Sequence, residues 1–166
     1  MQEITDGQVS SGKNGTHAIR DGIWAELNGV TPEIYESVRK SVGMEEYKRE
    51  DVEIALKHTL FSVVVWEKNR PVGIGRVIGD GRVAFFIKDV AIVPDRQGKG
   101  IGTLVMEKLM EYIRRAGTDN AYAGLMSLNG KEEFYEKFGF HVRPYKNEGS
   151  GMTQYLDRHT DGTLLI

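Results

Sequence analysis

The apolar residues of this chain change period several times, and each change marks an element. Ile23 to Leu27 is a short apolar stretch that predicts a strand. Thr31 followed by Pro32 reads as an N-cap with proline at the first helical position. Ile34, Val38 and Val42 then recur at helical spacing until Gly43 stops the helix. A second helix is predicted from about Glu45 to His58, with Val52, Ala55 and Leu56 inward. Leu60 to Trp66 is continuous and β-branched, the polar Glu67-Lys68-Asn69-Arg70 interrupts it, and Pro71 to Ile78 is apolar again, which reads as a hairpin. Gly79-Asp80-Gly81 is a turn and Val83 to Val93 a long third strand, completing an antiparallel meander.

Pro94 ends that strand, and a glycine-rich turn leads into the clearest helix. Its stripe is Ile101, Leu104, Val105, Leu109, Tyr112 and Ile113, and it closes between Arg114 and Gly117. Tyr122 to Leu128 is a further strand, expected parallel to its predecessor through a right-handed crossover. Asn129 is placed to cap another helix, with Glu132 completing a capping box and Gly139 ending it. Phe140 to Val142 and Met152 to Leu156 are the last predicted strands. The order describes one α/β domain over residues 21–166, with a mixed, mostly antiparallel sheet. Residues 1–20 are polar and Gly/Ser-rich and read as a flexible arm.

Composition narrows the function classes. A chain of 166 residues suits one domain with a sizeable core. It has no cysteine, which excludes disulfides, thiolate metal sites and cysteine nucleophiles and suits the cytoplasm. The net charge of -2, without a long basic run, argues against nucleic acid as a partner. No apolar run approaches the ~18 residues of a membrane span, and the N-terminus lacks the apolar stretch of a signal peptide. No metal is expected.

The chemistry-bearing segment runs from Asp89 to Gly102: a strand, a turn with Gly98 and Gly100, and a helix start. Glycine allows close backbone approach, the first helical amides lack partners, and the helix dipole adds partial positive charge, so a pyrophosphate suits the place. The glycine spacing is neither the dinucleotide pattern nor a P-loop. Taken alone, the glycines fit a plain connector equally well.

Two blocks go further. Gln97-x-x-Gly100-x-Gly102, after a strand ending in Val93-Pro94, resembles the acetyl-CoA signature of the GNAT acetyltransferase superfamily. The stretch from Asn129 to Phe140, closing as Tyr135-x-x-x-Gly139-Phe140, resembles that family's C-terminal helix. The resemblance covers roughly residues 23 to 156. It implies a GNAT-like fold with splayed central strands flanked by helices, and acetyl-CoA as cosubstrate in the splay between Val83–Val93 and Tyr122–Leu128. The pantetheine arm would pair with the backbone of Ala91, Ile92 and Val93. The pyrophosphate would meet Gln97, Gly98, Lys99, Gly100, Ile101, Gly102 and Thr103, with Asn129 also on the cofactor side. Lys99 is equally readable as a solvated surface residue. Tyr135 would protonate or hydrogen-bond the departing thiolate, the other reading being an aromatic packed on Phe138 and Phe140.

The general base is left open. Asp89 falls where the family bends this strand at a bulge, and either relays the amine proton through water or pairs with an Arg or Lys. His58, His141 and His159 have no visible partner, and Glu45 and Glu46 either attract a cationic substrate or form a solvated face. The implied activity is N-acetylation of a primary amine by direct attack in a ternary complex. The acceptor would be a small molecule, as in bacterial small-amine acetyltransferases, near the loop Arg143-Pro144 to Gly149-Ser150-Gly151-Met152. A peptide acceptor, or a coenzyme A-binding module without catalysis, are the alternatives. No membrane or nucleic-acid partner is implied; a homodimer is compatible.

Overall fold

The computed structural model describes residues 16–20 and 22–156. Its sheet runs in sequence order: β1 (Thr16–Arg20), β2 (Ile23–Leu27), β3 (Phe61–Glu67), β4 (Arg70–Gly79), β5 (Ala84–Ile92) and β6 (Tyr122–Leu125). The first five are antiparallel neighbours, and β6 is parallel to β5. Strand β1 lies within the segment read from sequence as an arm. Its backbone pairs with β2 from Thr16↔Glu26 to Arg20↔Ile23, because an edge strand needs only a neighbour's free main-chain groups, not an apolar pattern of its own. Residues 1–15 of the expected arm lie outside the described residues.

Val63, Val64 and Val65 on β3 are all fully buried, since both faces of the sheet are covered. Helix α3 (Ile101–Ala116) packs on β3, β4 and β5, while α1 (Pro32–Ser41) packs on β4, β5 and α2 (Arg49–Lys57). The approach of α3 is close. A methyl group added to Gly75 would stand 2.6 Å from Val105 Cγ1 and 2.9 Å from Leu109 Cδ1. Alternation along β4 then directs Ile74 and Arg76 to the other face, toward α1.

Helix α1 begins as its cap predicts, with Thr31 Oγ1 accepting from the Ile34 amide at 3.3 Å. Its inward face is Tyr35, Val38 and Arg39; Ile34 and Val42 are only half-buried. Helix α2 starts at Arg49, four residues after the expected start, and buries Val52. Helix α3 follows its predicted stripe and adds Met106 and Met110 to it, with Leu104 and Tyr112 half-buried. Tyr112 stacks on Phe61 with ring centroids 4.6 Å apart.

Residues to Met126 form one compact unit, and those from Ser127 a second. The second contains α4 (Glu132–Glu136). Its N-cap is Lys131 and no side chain caps it, so the expected Asn129–Glu132 capping box is not formed: Gly130, at φ 77°, turns the chain between Asn129 and the helix. Phe140 to Val142 and Met152 to Leu156 are not strands; only an isolated bridge, Tyr145↔Glu148, forms there. Local ties explain this hairpin-like turn, since Glu148 pairs with His141 at 2.8 Å and with Arg143 at 3.7 Å.

Candidate active site

Strands β5 and β6 pair only from Ala84↔Tyr122 to Ile87↔Leu125. Strand β5 continues to Ile92 with β4 on one side alone, so its other edge opens beyond Ile87. The antiparallel ladder decides which groups face the opening. The Val93 amide donates to the Val72 carbonyl at 3.0 Å, and the Val93 carbonyl accepts from the Arg96 amide at 2.9 Å. Ile92, opposite Gly73, is the next position, and there the N–H and C=O turn away from β4. Ala91, opposite Ile74, faces β4 again. Of the three residues expected to offer free backbone, therefore, Ile92 alone presents it to the open edge.

The Ile92 carbonyl accepts from Gln97 Nε2 at 3.0 Å, which leaves its N–H as the exposed group. Between them lies a short 3-10 turn, Pro94–Arg96. Gly98 at φ 71° and Gly100 at φ 82° follow, both in the left-handed region that glycine enters without penalty. Gly100 is the N-cap of α3 and offers no side chain, and the first intrahelical bond shown runs from the Leu104 amide to the Gly100 carbonyl at 3.1 Å. The amides of Ile101, Gly102 and Thr103 thus precede the helical ladder at the positive end of a 16-residue helix. Residues 97–100 and Thr103 are exposed, Gly102 is half-buried and Ile101 is buried, so an anion would approach this end of the helix from the turn and Thr103.

Residues that sequence reasoning did not single out brace this turn. Arg70 grips Asp95 with two bonds of 2.8 and 2.9 Å, and Arg96 grips Glu67 with bonds of 2.7 to 2.9 Å. Arg96 also reaches Asp95 at 2.9 Å. The arginines hold the Glu67 and Asp95 carboxyls below their ordinary pKa range. The hairpin turn was legible in sequence, but pairing of its two ends with residues 25 to 29 positions away was not.

Asp89 sits at a bulge in β5, with φ 57°. One carboxylate oxygen pairs with Arg39 of α1 and the other with Arg76 of β4, the latter at 2.5 Å. The Asp89 side chain is 3% exposed and each arginine side chain 9%. Of its two sequence readings, the ion-pair partner is the one formed, and a general-base role would require breaking a buried pair. His58 is exposed, His141 is paired with Glu148, and His159 lies outside the described residues. Glu46 pairs with Lys40 at 2.9 Å. Glu45 and Glu46 line a pocket of about 360 Å³ with Glu33, Glu36, Tyr35 and Tyr47, against Arg39. Arg49 bridges Glu33, Glu36 and Glu53 and holds the Glu33 carboxyl at about 2.

In the second unit, Tyr135 lies on α4 with its ring edge-on to Phe134 at 5.0 Å. Phe134 in turn meets Phe138 at 5.4 Å. Burial raises the Tyr135 pKa above the ordinary tyrosine value. Asn129 is exposed in the loop before α4. Among the described residues no helix is long and apolar enough to cross a membrane.

An acetyltransferase (GNAT) domain model matches residues 58–142, half of the chain. The chain belongs to the GNAT acetyltransferase family. It is 35% identical over 109 residues to an uncharacterized N-acetyltransferase (ycf52) of Porphyra purpurea, covering 63% of this chain and 62% of that one. It is 34% identical over 124 residues to serotonin N-acetyltransferase 2, chloroplastic, of Oryza sativa subsp. japonica, covering 70% of this chain and 58% of the relative. These matches thus span somewhat more than half of the curated relatives' length. Among solved structures, a Staphylococcus aureus protein of unknown function, SA2161, assigned as a probable acetyltransferase, aligns with a TM-score of 0.73 at 34% identity. That alignment covers 80% of this chain and 98% of the other.

Proposed function

We propose that this protein transfers the acetyl group of acetyl-CoA to a small primary amine by direct attack within a ternary complex. The observation that carries the reading is the juxtaposition on β5: an outward Ile92 N–H at an open strand edge, five residues before a glycine turn whose amides are free. A diphosphate fits the amides from Gly98 to Thr103, and an amide-bearing pantetheine arm fits the edge at Ile92.

In this mechanism the Ile92 N–H donates to the thioester carbonyl oxygen and stabilises the negative charge that develops there. The amine nitrogen must first lose a proton. For an amine with the pKa of lysine that costs about 4–5 kcal/mol at pH 7, at about 1.4 kcal/mol per pKa unit. The neutral nitrogen attacks the carbonyl carbon, a C–N bond forms, and the C–S bond breaks as the tetrahedral intermediate collapses. Coenzyme A leaves as its thiolate, and Tyr135 supplies a hydrogen bond or proton to that sulfur. The ammonium's first proton passes to solvent and not to Asp89, whose two oxygens are engaged by Arg39 and Arg76; the second, shed from nitrogen as the amide forms, balances the proton that the departing thiolate takes up.

The small-amine acceptor is supported by the acidic pocket beside Arg39, where Glu33, Glu36, Glu45 and Glu46 give a negative lining that attracts a cationic amine. The name of the rice relative points the same way. The test is coenzyme A release, followed with a thiol reagent, from acetyl-CoA and a panel of arylalkylamines, amino sugars and lysine peptides. Turnover with small amines that peptides do not suppress is expected. Absence of release with every amine defeats the catalytic reading, and preferential use of peptides defeats the small-amine one.

A further inference from the structure

We propose that Arg39, Asp89 and Arg76 form a positioning clamp for the acetyl carbonyl, by holding the β5 bulge whose extra residue turns the Ile92 N–H to the open edge. This rests on the reading of Ile92 as the carbonyl's hydrogen-bond donor.

The register of the β4–β5 ladder carries the argument. Before the bulge, Val77 faces Ile87 and Arg76 faces Lys88; after it, Ile74 faces Ala91 and Gly73 faces Ile92. Between these pairs β5 supplies two residues, Asp89 and Val90, against Gly75 alone. Were the ladder to run on from Arg76 and Lys88 without a bulge, Ile92 would stand opposite Val72. That is the place where β4 now takes the Val93 amide at 3.0 Å, so Ile92 would lose its outward N–H. The orientation of the donor is therefore a consequence of the bulge.

The bulge in turn depends on Asp89 staying left-handed at φ 57°, a conformation that a non-glycine residue keeps where its surroundings over-determine it. Two elements do so. Arg39 reaches in from α1, its guanidinium 4.9 Å from the Tyr35 ring and 5.1 Å from the Tyr47 ring, and donates to the Glu45 carbonyl at 2.9 Å. Arg76 reaches from β4, the strand opposite the bulge, and donates to Thr59 Oγ1 at 3.1 Å. A buried ion cluster is a poor source of net stability, because desolvation offsets the attraction. Its directional bonds to one carboxylate, three residues before Ile92, instead define where the bulge sits.

Asp89→Asn tests this, since asparagine keeps the size and the tolerance for left-handed φ but removes the charge that both arginines grip. The reporter is the infrared stretch of acetyl-CoA labelled with ¹³C at the thioester carbonyl, read beside kcat, donor KM and coenzyme A affinity by calorimetry. Bound to the parent, the stretch should fall below its value in free acetyl-CoA. In Asp89→Asn it should move back toward the free value and kcat should drop about tenfold or more. Coenzyme A affinity, set at the glycine turn, should stay within about twofold of the parent. A parent-like kcat, or a lowered kcat with an unmoved stretch, overturns the clamp. A parent that shows no downshift at all overturns the Ile92 reading itself, while leaving donor binding at the turn intact. If Asp89→Asn does not fold, Arg76→Lys and Arg76→Ala decide: lysine should restore part of both kcat and downshift relative to alanine, and equal values in the two variants overturn the proposal.

Discussion

Gln97 Nε2 donates to the Ile92 carbonyl at 3.0 Å, so the residue that opens the glycine turn also closes the strand before it. The bond occupies the one Ile92 group that would otherwise compete for the donor and leaves the N–H exposed. Gln97→Ala should cost about 0.5–1.5 kcal/mol of stability, the net worth of such a bond. For a chain of this size that is a fall in Tm of a few degrees, about 2–4 °C per kcal/mol, readable by calorimetry. Gln97→Glu sets a carboxylate against both the carbonyl and an incoming diphosphate, and should weaken coenzyme A binding about tenfold or more.

Gly100 stands at φ 82° with open space around it, so a side chain there meets strain and not a clash. Gly100→Val should cost about 1–2 kcal/mol through the left-handed conformation. It should also reduce coenzyme A affinity in titration calorimetry by about tenfold, because the cap amides would be redirected. Gly100→Asn, which tolerates the same φ, should fall between valine and the parent. Valine with unchanged affinity would remove the turn from the donor site.

Tyr135→Phe should lower kcat by about tenfold to a hundredfold with little change in donor KM, as expected when a hydrogen bond to the leaving group is lost. Because burial raises its pKa, the hydroxyl stays protonated through the ordinary range of tyrosine. The alkaline limb that Tyr135 imposes on the kcat profile should therefore lie above about pH 10. The phenylalanine variant should lack that limb.

The turn brace makes the fold acid-sensitive in a definite direction. Arg96 lowers the Glu67 pKa and Arg70 lowers that of Asp95. Each carboxylate contributes stability that is present above its unfolded pKa, near 4. That contribution is lost as pH falls through the lower folded value. Tm should decline as pH drops below about 4, less steeply in Glu67→Gln than in the parent. Salt should blunt the difference, since these groups are solvent-accessible.

Much of this architecture was legible along the chain. Thr31-Pro32 marks the start of α1, the β-branched runs mark β3 and β4, and the glycine turn with its following stripe marks α3, because caps, pleat and helical period are local physics. The family resemblance is likewise carried by two local blocks, Gln97-x-x-Gly100-x-Gly102 and the stretch from Asn129 to Phe140.

Tertiary structure decided what depends on a partner distant in sequence. The inward face of α1 is Tyr35, Val38 and Arg39 and not the Ile34, Val38, Val42 stripe, because Asp89, fifty residues on, draws a charged side chain inside. Phe140 to Val142 and Met152 to Leu156 have strand-like composition, yet a strand exists only where another strand completes its hydrogen bonds, and Glu148 closes that segment on itself instead. Likewise Ala91, Ile92 and Val93 look alike in sequence, and only the bulge at Asp89 determines which of them turns its N–H outward.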